Sequence, residues 1–415
     1  MSDKSFEISK WEVQWAWEKV RANKGAPGVD GCSVEDFEKD LKRNLYKVWN
    51  RMSSGTYFPP PVRSVQIPKP HGGGIRMLGV PTVADRVAQT VVARRLEARV
   101  EAIFHQDSYG YRLGRSGLDA VEVCRRRCWG RDWVIDLDIQ SFFDSVPHDL
   151  LIKAVEANTD LPWVLLYVKR WLVAPLQQSD GALLERDRGT PQGSAVSPVL
   201  ANLFLHYAFD AWMSREYPGI TFERYVDDVV VHCVSQVQAR KVLAAIGARM
   251  EQVGLRLHPE KTRIVYCRDG QRRATYEHTA FTFLGFTFTQ RRARNRYGKK
   301  FSRFLPAISK AALKRISAVV RSWGLHRRTV LGFSDVARMI NPVVRGWMQY
   351  YGAFYRSGLY PLLSRINAYL VRWIRKKYKR LRAKRKAFQC LRGIIERFPR
   401  MYAHWKWVPS VPSVW

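Results

Sequence analysis

Two short runs of β-forming residues carry acids where a strand should be apolar, and this contradiction constrains the fold more than any other feature. One is "ERYVDDVVVHC" (223–233), where Asp227 and Asp228 interrupt two strand segments, Tyr225–Val226 and Val229–Val231. Strands avoid aspartate, so the pair marks either a plain hairpin turn or a turn that presents carboxylates. The other run is "RDWVIDLDIQSFFDSV" (131–146), in which Trp133, Ile135, Leu137 and Ile139 alternate with Val134, Asp136 and Asp138. A period of two puts both aspartates on one side of a half-buried strand. Such a strand and a separate Asp-Asp hairpin can converge three acids on one point. Like charges about 4 Å apart repel by roughly 4 kcal/mol per pair at an effective dielectric of about 20. The cluster therefore needs cations, or one carboxyl must protonate. Hard oxygen donors select Mg²⁺, and two Mg²⁺ on carboxylates is a standard device for in-line phosphoryl transfer.

Charge indicates what such a site would act on. The 415 residues include 70 Lys and Arg against 36 Asp and Glu, a formal net charge of +34. Small soluble domains carry a net charge of magnitude about 2–8. An excess this large implies a polyanionic partner, with nucleic acid ahead of an anionic membrane surface. The basic residues are interleaved with Trp and Tyr along several segments and are not gathered on one amphipathic helix. Residues 372–386 hold ten Lys or Arg among fifteen positions and no acid, and phosphates would supply the missing counter-charge. Arg375, Lys376, Lys377, Lys379 and Arg380 are the nucleic-acid-binding candidates within that run. Leu362, Ile366, Tyr369 and Trp373 just before it form an apolar stripe for helix packing.

Hydrophobic residues at 46% and 15 tryptophans exclude wholesale disorder. No apolar run is long enough to span a membrane, and the N-terminus lacks the basic and apolar regions of a signal peptide. The expectation is a cytoplasmic protein with no membrane partner. The six cysteines lack zinc-ligand spacing and are expected as thiols. Helical patterns cover 9–21, 33–53 and 82–103, and a flexible Gly72–Gly74 turn separates two strands. Strands and helices alternate over 132–288, which predicts a sheet with helices packed on one face. "QRRARNRYGKK" (290–300) is expected as a basic linker to a helical, aromatic-rich region ending near 395.

"YVDD" with the preceding "DLDIQSFFD" resembles the palm of reverse transcriptases, and further segments narrow the resemblance. "NKGAPGVDG" (23–31), "IRMLGVPTVADRVAQ" (75–89), "DSYGYRLGRSGLDAV" (107–121), "GTPQGSAVSPVLANLFLHY" (189–207), "GLRLHPEKT" (254–262), "FTFLGF" (281–286) and "NPVVRGWMQYYG" (341–352) follow one another. In that order they resemble group II intron-encoded reverse transcriptase–maturases and their intron-independent relatives. The resemblance implies an α+β right-hand polymerase, with fingers and a ferredoxin-like palm followed by an all-helical thumb or maturase domain. It implies an N-terminal extension over 1–57, fingers and palm over 58–290 and the thumb over 291–395; the tail over 396–415 lacks His-Asn-His or paired-cysteine nuclease spacing, so no endonuclease domain is expected.

By the same resemblance, Asp138, Asp227 and Asp228 are the catalytic, metal-binding triad, with the Ile139 carbonyl as a further metal contact and Asp228 the least persistent ligand. Asp136 matches no catalytic position. Arg63, Lys69 and Arg76 grip the triphosphate, Phe143 is the ring that excludes a ribose 2′-OH, and Gln192 touches the templating pair. Lys261 is a candidate acid for the departing pyrophosphate, unless it merely pairs with Glu260. The implied cofactors are two Mg²⁺ ions, with Mn²⁺ as a substitute. The implied partners are an RNA template, a DNA or RNA primer, deoxynucleoside triphosphates and a structured intron RNA whose splicing and retrotransposition the protein assists. Val226 and Ser194 depart from the family's usual Tyr-Ala-Asp-Asp and Pro-Gln-Gly-Gly. A host-adopted polymerase of DNA repair or phage defence, or a non-catalytic RNA-binding splicing factor, fits the same residues.

Overall fold

The computed structural model describes residues 4–68, 75–294 and 297–409. Lys69 and Gly72–Gly74 lie outside them. The chain forms two compact units, one of residues 1–120 and 135–264, the other of 121–134 and 265–415. Among the described residues no helix is long and apolar enough to cross a membrane.

The first unit opens with the helix Lys10–Asn23, started by a capping box in which the Ser9 N–H donates to the Glu12 carboxylate at 3.2 Å. Val13, Ala16, Trp17 and Val20 form its buried stripe. The predicted helix 33–53 is two helices, Val34–Lys39 and Leu41–Ser53, because Asp40 leaves helical geometry at φ −126° and ψ 48°. Helix Val83–Val100 is the hub of this unit. It packs against Lys10–Asn23, Leu41–Ser53, Pro162–Val173 and Ser197–Leu205 through Val83, Val87, Val91, Leu96 and Val100. The "NKGAPGVDG" loop is fastened to it, since the Arg86 guanidinium donates to the carbonyls of Lys24 (2.9 Å) and Ala26 (3.1 Å).

The strands that lie wholly or in part in this unit are β1 (Val62–Pro68), β2 (Ile75–Val80), β3 (Trp133–Asp138), β4 (Leu176–Gln177), β5 (Leu183–Leu184), β6 (Thr221–Tyr225), β7 (Asp228–Cys233) and β8 (Arg263–Tyr266). They form two sheets, ordered β2-β1-β4-β5 and β6-β7-β3-β8. β1 and β2 are antiparallel, registered from Arg63 opposite Val80 to Pro68 opposite Ile75. β6 and β7 form a tight hairpin, and helix Gln236–Gln252 packs against β7. Helix Ser197–Leu205 runs into a π-helical turn, His206–Asp210.

The second unit contains a sheet of β9 (Phe281–Phe283), β10 (Phe286–Arg294) and β11 (Lys300–Ile308), ordered β11-β10-β9. The segment expected as a basic linker is therefore the far end of a hairpin, paired from Phe286 opposite Ile308 out to Arg294 opposite Lys300. Its buried end carries the apolar side chains that hold it. Phe281 and Phe288 stack at 4.6 Å beside Phe304, and the Trp129 indole donates to the Phe304 carbonyl at 3.1 Å. Helices Lys310–Ser322, Phe333–Tyr351, Tyr360–Lys377 and Lys384–Arg397 follow. Leu362, Ile366, Leu370 and Trp373 are buried in the third of these. Tyr369, expected in the stripe, is only half-buried and lies beside the Arg372 guanidinium. The tail returns to this helix, where Asn367 Oδ1 accepts from the Trp405 indole at 2.9 Å.

Candidate active site

The β6–β7 hairpin closes at Tyr225 opposite Asp228, leaving Val226 and Asp227 as its two turn residues. The turn therefore falls one residue earlier than the sequence predicts, and Asp228 begins β7. Val226 adopts φ +59°, the left-handed region. Two-residue hairpin loops place Gly, Asn or Asp at such positions, and a β-branched residue there costs roughly 1–3 kcal/mol. Val226 is nonetheless buried. It fits because its neighbour is Gly110, where an added Cβ would stand 2.6 Å from Val226 Cγ2.

β3 delivers Asp136 and Asp138 to one side, both half-buried between fully buried neighbours, as the alternation predicts. The "RLHP" stretch clamps the end of β3, with His258 N–H donating to the Asp138 carbonyl and Gln140 N–H to the Arg256 carbonyl, each at 2.8 Å. These bonds flank the Ile139–Leu257 bridge and leave the Ile139 carbonyl outside them. The same segment brings Lys261 Nζ to 2.9 Å from Asp138 Oδ2. The sequence offered Glu260 as the partner of Lys261, but the pair forms with Asp138. Both groups of that pair are substantially exposed, so water screens it and leaves it exchangeable.

Burial, with the nearby Asp138 charge, raises the Asp227 carboxyl above the usual aspartate range, while its own backbone N–H, Arg76 and Lys261 oppose the rise. Asp138, Asp227, Lys261 and Arg76 thus share one electrostatic site. Burial also pushes Asp136 up to about 7, with Arg263 opposing and Asp138 adding to the rise. Asp138 and Asp227, which share this electrostatic site, offer carboxylate oxygens of the kind a hard divalent cation takes.

Arg63 and Arg76 lie on the paired strands β1 and β2, Arg63 half-buried and Arg76 exposed. The Gln192 carbonyl accepts from Gly79 N–H of β2 at 2.8 Å. This docking is possible because Gly193 sits at φ +118°, where an added Cβ would come 2.5 Å from the Gly79 carbonyl oxygen. The Ser194 hydroxyl, where the family usually has glycine, donates to Gln89 Oε1 at 2.9 Å, and Ala195 N–H reaches the same oxygen at 2.9 Å. Gln89 in turn donates to the fully buried Asp85, which also accepts from Tyr57 Oη (3.0 Å) and the Trp171 indole (2.6 Å). Phe143 is half-buried against Phe142, ring centres 5.3 Å apart, and its carbonyl accepts from Thr190 N–H at 2.7 Å.

Residues 67–288, more than half of the chain, match the family described as "Reverse transcriptase (RNA-dependent DNA polymerase)". The chain belongs to the reverse transcriptase family. It is an RNA-directed DNA polymerase of a family whose chemistry uses divalent metals. Residues 313–392 of the enzyme match "Group II intron, maturase-specific domain". The enzyme is similar to "Protein YkfC" of Escherichia coli K12, 31% identical over 335 residues that cover 69% of this chain and 83% of that one. It is also similar to "Group II intron-encoded protein LtrA" of Lactococcus lactis, 31% identical over 193 residues, 46% of this chain and 32% of that one. "Retron Mx162 reverse transcriptase" of Myxococcus xanthus is 30% identical over 282 residues, 61% of this chain and 54% of that one.

Several residues around this cluster were not singled out by the sequence. Tyr111 is exposed at a left-handed φ of +54° and interacts electrostatically with Tyr225, Asp227 and Arg76. Arg224 donates to the Val226 carbonyl of the turn, and Asp85 and Gln89 connect to the Ser194 segment. In the second unit, two of the five predicted nucleic-acid cations are turned to their own backbone. Arg375 Nε donates to the Arg382 carbonyl and Lys377 Nζ to the Thr329 carbonyl, both at 2.7 Å. Lys376, Lys379 and Arg380 are exposed.

Proposed function

We propose that this reverse transcriptase extends a primer 3′-OH with Asp138 and Asp227 as its principal Mg²⁺ ligands, supported by Asp228 and the Ile139 carbonyl. The observation that carries this reading is the grouping of two carboxylates, Asp138 and Asp227, with two cations, Lys261 and Arg76. Two bound Mg²⁺ ions, for which Mn²⁺ is a chemical substitute, would activate the 3′-hydroxyl and neutralise charge on the triphosphate. Arg63, Lys69 and Arg76 bind the triphosphate oxygens by charge-assisted hydrogen bonds. The Phe143 ring closes the space a ribose 2′-OH would need, and Gln192 contacts the templating pair. Lys261 Nζ exchanges its screened contact with Asp138 for the departing pyrophosphate and gives it a proton.

We further assign residues 1–57 as an N-terminal extension, 58–290 as fingers and palm, 291–395 as the thumb and 396–415 as a tail. The maturase-specific match at 313–392 supports binding of a structured intron RNA by the thumb to assist splicing. Sequencing the RNA that co-purifies with the protein tests this, and recovery of no intron RNA would favour a host-adopted polymerase.

The catalytic assignment is tested by Mg²⁺-dependent primer extension with Asp138→Asn and Asp227→Asn. Each is expected to lose activity by on the order of a thousandfold or more, since each removes charge aimed at the transition state. Melting behaviour should be preserved. Near-normal extension by either variant overturns the ligand assignment.

A further inference from the structure

The geometry points to Arg224 as a positioning residue that holds the Val226–Asp227 turn and thereby sets the affinity of the site for its divalent cation. This rests on the assignment of Asp227 as a metal ligand. Arg224 and Asp210 are both fully buried, with Arg224 Nε 2.7 Å from Oδ1 and Nη2 2.6 Å from Oδ2 of the carboxylate. A buried ion pair is weak evidence for stability, because apolar residues of similar volume often serve as well. The use of the remaining donors is therefore informative. Arg224 Nη1 donates to the Val226 carbonyl at 3.2 Å and to Asn202 Oδ1 at 3.0 Å. Asn202 Nδ2 in turn donates to the carbonyl of Gly110, the residue on which the Val226 side chain rests, at 2.6 Å.

One guanidinium thus fixes the turn's carbonyl and, through Asn202, the surface against which the turn packs. Its own backbone is held on both sides, with Arg224 N–H donating to the Asp107 carbonyl at 2.9 Å and Tyr109 N–H to the Arg224 carbonyl at 2.8 Å. Asp210 ends the π-helical turn His206–Asp210, a local widening that proteins use mostly at functional sites. Held this way, a left-handed valine keeps the neighbouring Asp227 at one height above β3. Only a planar fork can serve the carboxylate and the carbonyl together, so lysine cannot replace it.

The test measures three quantities for Arg224→Lys and for the double variant Asp210→Leu/Arg224→Met: melting temperature, primer–template affinity and the Mg²⁺ concentration for half-maximal extension. The double variant replaces the pair by apolar groups and keeps the core filled. Both variants are expected to bind primer–template as the parent does. The double variant is expected to need about tenfold more Mg²⁺, the factor expected from one lost charge-assisted hydrogen bond, and Arg224→Lys an intermediate amount. Unchanged Mg²⁺ half-saturation in a folded variant of either kind overturns the inference. Arg224→Lys, which keeps the charge on Asp210, decides the matter should the double variant not fold. Asp227→Asn runs alongside: if it extends primers with the parent's Mg²⁺ dependence, the ligand assignment itself has failed.

Discussion

At the scale of single residues, the site depends on side chains that oppose their surroundings. Phe143 is one of them, a half-buried ring in the short helix Phe142–Ser145 that follows β3. Phe143→Val should raise ribonucleotide use relative to deoxynucleotide use by about ten- to a hundredfold, the discrimination that a few carbons of steric bulk supply. Competition between the two triphosphates in single-nucleotide extension measures it, and an unchanged ratio would make Phe143 a packing residue. Asp138 and Asp227 stood out in the sequence because an acid in a β-run contradicts its neighbours, and the structure groups them in one electrostatic site. Arg224 was not, because its partner Asp210 lies on another element and an arginine before a tyrosine resembles an ordinary surface residue. The left-handed Val226 was equally hidden. Its neighbour Gly110 is distant in sequence, and nothing in "YVDD" marks the turn as Val226–Asp227.

Elements, in turn, are joined to the site by buried polar groups. Helix Val83–Val100 carries Asp85 and Gln89 one turn apart, and this pair ties the Ser194 segment to the hub of the first unit. Burial pushes the Asp85 carboxyl up to about 6, although Trp171, Tyr57 and Gln89 all donate to it. An unfolded aspartate titrates near 3.9, so between about pH 4 and 6 the folded protein holds more protons than the unfolded chain. Stability from this group is therefore fully present below about pH 4 and falls as pH rises through 6, by about 3 kcal/mol in all. Melting curves of the parent and Asp85→Asn from pH 4 to 7 should show it. The parent declines relative to the variant across that window, and parallel curves would refute the shift. Asn offers these donors a single acceptor oxygen, so the variant should also loosen Gln89 and raise the KM for incoming nucleotide. The helix itself was readable from its periodicity, and its bounds moved by only a few residues. The destination of its polar side chains was not, because periodicity reports which face is buried and says nothing of what a buried amide must bind.

Over the whole molecule, charge was the plainest signal and also the one most refined by geometry. Composition alone required a polyanionic partner, and the reverse transcriptase and maturase matches agree with that. Of the run at 372–386, however, Arg375 and Lys377 cap carbonyls of their own unit, which leaves Lys376, Lys379 and Arg380 as the better phosphate ligands. Replacing those three by alanine should flatten the log–log salt dependence of RNA binding by about 2–3 units, given about 0.7–0.9 per phosphate contact. Arg375→Ala and Lys377→Ala should instead lower the melting temperature of the second unit. Filter binding across a salt series separates these effects, and a slope that stays constant in the triple variant would place the phosphate contacts elsewhere. The division of the chain also has a consequence for its synthesis. Residues 121–134 belong with 265–415, and the Arg272 guanidinium meets the carbonyls of Cys128 (3.0 Å) and Arg131 (2.8 Å). As the nascent protein leaves the ribosome, that segment emerges long before its partners do. At roughly 5–20 residues per second, its two tryptophans, Trp129 and Trp133, wait on the order of ten seconds for those partners. During that interval its uncovered apolar side chains are open to the transient association that such waiting segments invite.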